Sequence, residues 1–196
     1  VTAVTSADTS IVVTNGTTTP ALQLASLSTI AANEGGTVPV ANIAAGLAGQ
    51  VLQGTGPTYA YPPGYEIGYS QITTSVTVSS STESAGTAVI SPGALTFDGG
   101  AVMVEFFSPA IFPGSSVDVV IVCMFESTVE IGRLLAVENS ASGVAVSGVG
   151  RLKFTPSAGA HTYTLTAFRA SVNGSISAGA GGTATYVPAF VRFTKV

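Results

Sequence analysis

The chain has 196 residues, of which 46 % are apolar and only 8 % charged, with a formal net charge of −4; about a quarter charged is ordinary for a globular domain. The apolar share is ample for a core and excludes intrinsic disorder, which needs low hydrophobicity and high net charge. The acidic balance argues against a nucleic-acid partner, no apolar run reaches the roughly 18 residues of a membrane-crossing helix, and a single cysteine, Cys123, excludes an internal disulfide framework and a cysteine-built zinc site.

The charges are segregated. Residues 1–132 carry nine acids and no base, whereas residues 133–196 carry six bases and one acid, Glu138. In a sandwich that interleaves distant strands these portions neutralise each other, within one subunit or across subunits; a chance distribution in a charge-poor chain is the alternative. So few charges leave little electrostatic protection against association, and burial in an oligomer is expected.

In chain order, Thr9-Ser-Ile-Val-Val-Thr14 reads as a strand. Asn15-Gly16 is a strong hairpin signal, and Thr17–Ala25 reads as the return strand, with Leu22 and Leu24 on one face and Pro20 at an edge. A hairpin this small cannot bury its own apolar face and needs copies of itself or a partner. Residues 26–33 are compatible with one or two helical turns. Over 40–52, Ile43, Leu47 and Val51 recur at four-residue steps, a spacing that suits a helix facing a threefold axis, but Gly46 and Gly49 weaken a regular helix. An irregular self-associating segment is predicted there. Gly54–Gly64 reads as a linker without periodicity. The predicted organisation is a shaft over 1–60 and a head over 61–196.

From Tyr65 onward the rhythm is strand, turn, strand. Strands are predicted at 66–72, 74–80, 87–90, 101–107, 117–125, 129–138, 143–155, 162–172, 175–178 and 189–195, with Ser91-Pro-Gly, Asp98-Gly-Gly, Ser108-Pro, Pro113-Gly-Ser-Ser, Pro156-Ser-Ala-Gly and Asn173-Gly as punctuation. The near-continuous apolar run 117–125 predicts a central strand. Tyr163, Leu165 and Ala167 share one face, as do Val191 and Phe193, with Arg192 opposite; Phe190 and Phe193 cannot share a face. Val196 is expected to end beside an early strand or a neighbouring subunit. The fold class is all-β: a β-sandwich. The absence of a Cys…Trp…Cys pattern counts against an immunoglobulin domain. The long glycine-rich loop before the last strand favours a trimeric jelly roll.

Two stretches carry a resemblance. Gly36-Thr-Val-Pro-Val-Ala-Asn-Ile-Ala-Ala-Gly-Leu-Ala-Gly-Gln-Val-Leu-Gln53 resembles the PVANIAAGTAGQVL linker of tailed-bacteriophage tail fibres and minor tail proteins, with Leu47 in place of the usual Thr. Gly159-Ala-His-Thr-Tyr-Thr-Leu-Thr-Ala-Phe-Arg169, with Pro188-Ala-Phe-Val-Arg-Phe-Thr-Lys-Val196, is similar to the closing strands of the C1q/TNF-like jelly-roll heads at such fibre tips. Together they touch about a quarter of the chain. The resemblance implies a homotrimer in the virion tail: an intertwined N-terminal β or irregular shaft, then a head that binds a bacterial cell-surface glycan or protein. It implies contact with other phage tail proteins through the N-terminal side, no catalysis, and a natural chain that extends before Val1. A trimeric capsid decoration or head-fibre protein is the alternative, and a polysaccharide-degrading tail tip the second.

The residues offer little chemistry. No cofactor or metal ligand set is predicted, and no receptor-binding residue can be named. Glycoside hydrolysis needs paired carboxylates, and only a turn at Ser127-Thr128 would bring Glu126 and Glu130 together; Glu105 and Asp118 lie on other strands. Asp98-Gly-Gly has no further acids nearby to complete a calcium site. Cys123 reads as a buried strand residue, with His161 the sole possible catalytic partner, and His161 itself reads as a hydrogen-bonding strand end or a trimer contact. Asn15-Gly-Thr and Asn173-Gly-Ser match the glycosylation pattern but read as turns. Tyr59, Tyr61, Tyr65 and Tyr69 read as a neck between linker and head, with sugar stacking as the alternative.

Overall fold

A computed structural model describes residues 11–14, 21–24, 51–53, 58–114, 118–139 and 144–196, with side chains from residue 60 onward. All regular elements among them are strands, and no helix there is long and apolar enough to cross a membrane. The chain divides into two compact units, Val1–Gly46 and Leu47–Val196.

In the first unit β1 (Ile11–Thr14) and β2 (Ala21–Leu24) pair antiparallel, Thr14 opposite Ala21 and Ile11 opposite Leu24. The connecting residues 15–20, including Asn15-Gly16, lie outside the described residues, as do 25–50, on which the helical and axis-facing expectations fall.

The second unit opens with β3 (Val51–Gln53) and β4 (Thr58–Ala60), an antiparallel pair of their own. This corrects the reading of 54–64 as one structureless linker. Thr58 and Tyr59 have the β-branched and aromatic character that favours strands, and it outweighs the surrounding glycine and proline.

The rest of this unit is two antiparallel sheets. One comprises β5 (Glu66–Ile72), β6 (Val76–Val78), β9 (Val102–Phe112), β12 (Val146–Phe154), β14 (Gly174–Ser177) and β15 (Ala189–Lys195). The other comprises β7 (Thr87–Ile90), β8 (Ala94–Asp98), β10 (Val119–Glu126), β11 (Val129–Glu138) and β13 (Ala158–Arg169). The pairing is nested. The first long strand, β5, pairs with the last, β15; β7 and β8 pair with β13; β9 pairs with β12; and β10 pairs with β11 across a two-residue turn. Ser127 in that turn has φ 54°, the left-handed geometry a tight hairpin demands. Strand β10 also pairs with β13, so the apolar run is central in its sheet.

Ser91-Pro-Gly ends β7 at Ile90, as predicted, but a strand the sequence did not predict, β8, follows it along β13, Ile90 opposite Leu165 and Ala94 opposite Thr162. Strand β13 opens at Ala158, inside the predicted turn, rather than at 162. Ser108-Pro does not end β9. Pro109 falls where β12 has a register shift, and between the stretch of β9 paired with β15 and the stretch paired with β14. A residue without an amide hydrogen costs no ladder bond there. The buried Ser108 hydroxyl lies 3.0 Å from the Ala110 carbonyl and 3.1 Å from that of Ser177.

The core lies between the sheets. It alternates along β9 (Val102, Val104, Phe106), β13 (Tyr163, Leu165, Ala167) and β15 (Val191, Phe193), all buried. At one end Phe97, Phe154, Tyr163 and Phe193 form a ring cluster spanning both sheets. Tyr163 sits 5.8 Å from Phe97, 5.5 Å from Phe154 and 5.7 Å from Phe193 between centroids. Gly150 lets β12 close against β11, since a Cβ there would come within 2.4 Å of the Leu134 carbonyl oxygen.

Phe193 has no exposed surface, and removing it leaves a hole that close-packed neighbours cannot fill. Phe193→Ala is expected to lower unfolding stability by about 3–5 kcal/mol. Urea denaturation followed by far-ultraviolet circular dichroism measures it.

Candidate functional site

The strand directions give the sandwich two unlike ends. Its near end is where the chain from Tyr61 joins. There Gly64 N–H donates to the Lys195 carbonyl (2.8 Å), Lys195 N–H donates to the Tyr65 carbonyl (2.9 Å), and Val196 N–H donates to the Ala101 carbonyl (3.1 Å). Strand β15 therefore ends between β5 and β9, both from the base-free portion. Tyr61 and Tyr65 stack at 4.8 Å, while Tyr69 lies on β5 against Phe190 at 5.5 Å. The described tyrosines thus fall into two places, not one neck cluster.

Asp98 is the hinge-pin of this end. Its Oδ1 accepts from Lys195 Nζ at 2.7 Å and from Gly100 N–H at 2.9 Å, and its Oδ2 accepts from Tyr61 N–H at 2.8 Å. Burial alone would push this carboxyl up, but the hydrogen bonds and the ammonium outweigh it and hold the group below its ordinary value. These donors take three of the carboxylate's roughly four acceptor sites. At the opposite end Asp118 does similar work: its carboxylate accepts from the amides of Val119, Ser171 and Val172. Burial opposes and those amides prevail, so its carboxyl too is held low.

The other candidate residues are also engaged in structure. Glu126 pairs with Val129 across the hairpin and Glu130 with Phe125, which puts the two acids on opposite faces of the ladder. Glu126 Oε1 lies 2.5 Å from His161 Nδ1. His161 Nε2 is 3.1 Å from the Ser157 hydroxyl, which completes the connectivity of a hydrolytic triad. Yet Nε2 lies equally close to the Ser157 carbonyl oxygen, an acceptor only. That contact makes Nε2 a donor, whereas a serine nucleophile requires it to accept. Cys123 does not meet His161. Its thiol donates to Glu83 Oε1 at 3.2 Å, and burial, with Glu83 beside it, pushes it up to about 12. Glu83, Cys123 and Glu130 bring their ligand atoms within 4.8 Å of one another. Both Glu83 oxygens are held by Arg133, at 2.7 and 2.8 Å.

What remains unengaged is surface, and it has a pattern. On the outer side of the sheet containing β9, Arg151, Glu105, Arg192 and Tyr69 lie in one row across β12, β9, β15 and β5. Glu105 accepts from both guanidiniums, at 2.6 Å from Arg151 and 2.9 Å from Arg192. In the next row Val149, Phe107 and Phe190 are aligned, the two rings 5.3 Å apart. Tyr69 and Val149 are half exposed, and the adjoining edge adds exposed Val144 and Val146. The signal for this face was in the sequence: Phe190 and Phe193 are three apart, so one ring had to point away from the core. Phe107, on a strand with alternating apolar residues on both sides, carried no such mark.

No family model matches this chain, and no curated protein matches it.

Every Lys or Arg ion pair among the described residues joins a base at or after Arg133 to an acid before it: Arg133–Glu83, Arg151–Glu105, Arg192–Glu105 and Lys195–Asp98. The segregated charges neutralise within one subunit. For Asp98 the pKa is lower folded than unfolded, so its contribution is fully present above the unfolded carboxylate value near pH 4 and is lost as pH falls through the folded value. Asp98→Asn is expected to cost about 3 kcal/mol at pH 7, because Lys195 stays buried without its partner. It should also flatten the acid limb of melting temperature against pH relative to wild type. Thermal melts from pH 7 to pH 2 on both proteins test it.

Proposed function

We propose that this chain is the distal part of a tailed-bacteriophage tail fibre, a non-catalytic homotrimeric adhesin whose jelly-roll head attaches the virion to the bacterial surface. The observation that carries the reading is the nested ladder. The pairs first with last, second with ninth, third with eighth, fourth with seventh and fifth with sixth are what a long folded ribbon gives when it wraps into a jelly roll, with β7 and β8 counted as one strand. The linker and closing-strand resemblances point to the same class.

The exposed surfaces support self-association. The aromatic row on the outer face and the valines along the β12 edge are two different apolar patches on one subunit. A face that meets an edge makes a heterologous contact, and such contacts close into a ring when the rotation allows. Trimer closure covers both patches and relieves a low-charge surface of its association hazard.

Light scattering on the full-length chain is expected to give three times the 19.4 kDa chain mass. Phe190→Ser should shift it to the monomer while the strand signal persists, because Phe190 faces away from the core. A monomeric wild type at micromolar concentration overturns the trimer. Labelled trimer that adsorbs to no bacterium in a host panel favours the capsid decoration reading.

A further inference from the structure

We infer that the tip of the β10–β11 hairpin docks on the adjacent subunit of the trimer, with Glu130 pairing to Lys153 on the outer face of that subunit's first sheet. The inference rests on the trimer reading above and names a contact which that reading leaves open.

Two unmatched charges define the contact. The chain has six bases. Four form ion pairs with Glu83, Glu105 and Asp98, and Arg169 donates to the Asn173 side chain and the Ser171 carbonyl. Lys153 alone has no hydrogen-bond or ion-pair partner among the described residues, and it is exposed. Glu130 is the complementary case. Its carboxylate lies within 4.8 Å of the Glu83 carboxylate and of the Cys123 sulfur, while Arg133 donates to both Glu83 oxygens. Two acids and one base leave a negative charge uncompensated there.

A single subunit cannot close this pair. Lys153 follows Val149 and Arg151 at two-residue steps along β12, opposite Met103, on the outer side of the first sheet. Glu130 lies beside Cys123, whose neighbours Val122 and Met124 are in the core, so it leaves by the outer side of the second sheet. The two side chains depart through opposite faces of the sandwich. Glu66 shares the outer row of Lys153, reached through Met103 and Thr194. Three strand spacings of about 4.8 Å separate them, too far for an ion pair.

The heights match. A Cβ on Gly132 would come within 3.0 Å of Leu152, so Gly132 on β11 and Leu152 on β12 are level. From that level Glu130 lies two residues, and Lys153 one residue, toward the near end. In a ring of heads with their near ends together, the unmatched acid of one subunit meets the unmatched base of the next at one height. The apolar groups there agree. Val129, beside Glu130, is 63 % exposed, more than any other large hydrophobic among the described residues, and half-buried Met103 lies next to Lys153. An apolar surround excludes water from the pair, which strengthens it and sets the direction of the ring.

The test couples contacting amines to carboxylates with a water-soluble carbodiimide on the full-length chain, then reads denaturing gels and maps the linked peptides. Wild type is expected to give dimer and trimer bands in which Lys153 is joined to Glu130. Lys153→Arg, which keeps the charge but offers no amine, should remain trimeric by light scattering and lose that link. Glu130→Lys should raise the concentration at which the trimer dissociates by at least about tenfold, because like charges then meet at every contact of the ring. Glu130→Lys combined with Lys153→Glu should return it to within about threefold of wild type. Restoration by the swap separates a contact between subunits from a fault of folding. A link found only in monomer bands, a link from Lys153 to another acid, a swap that restores nothing, or equal dissociation by Glu66→Lys overturns the contact while a trimeric wild type stands. A monomeric wild type removes the trimer reading and this inference together.

Discussion

The structure depends on its last strand coming home. Strand β15 inserts between β5 and β9, so the first sheet is incomplete until the final eight residues of the chain are in place. Those residues also bring Val191 and Phe193 to the core and Lys195 to Asp98. Everything nested inside that outermost pair, down to the β10–β11 hairpin, is held by partners ever closer in sequence. The local pairs close cheaply; the outermost pair spans more than a hundred residues and bears the largest loop-closure entropy.

Charge segregation makes sense in this light. Nesting places the late part of the chain on the early part, strand by strand. Bases confined to the one and acids to the other therefore meet across β12 and β9 (Arg151–Glu105), across β15 and β9 (Arg192–Glu105) and between β15 and β8 (Lys195–Asp98). The four ion pairs are exposed or half exposed except Lys195–Asp98, so three of them contribute little stability in water. Their use lies in register: Arg192 opposite Glu105 and Lys195 beside Asp98 match only one alignment of β15 against its neighbours, and a slip of one residue would turn Phe193 out of the core.

Much of this was legible in the sequence. The alternation of Tyr163, Leu165 and Ala167 and the opposition of Arg192 to Val191 and Phe193 follow from the two-residue period of a strand, and the central place of the 117–125 run from its continuous apolarity. What misled was proline. Pro109 reads as a stop but sits between the stretch of β9 paired with β15 and the stretch paired with β14, a place a single sequence cannot reveal because it depends on which other strand is absent. The engagement of Asp98, Asp118, Glu83 and Glu126 was equally hidden, since each has a partner more than thirty residues away.

Native-state hydrogen exchange tests the claim that β15 locks the head most directly. The amides of β15 are expected to exchange only through global unfolding, with the same free energy and denaturant dependence as those of β9. If the β15 amides exchange through a separate, denaturant-independent opening while β9 stays protected, the last strand is an ornament on a sandwich that stands without it, and the account fails.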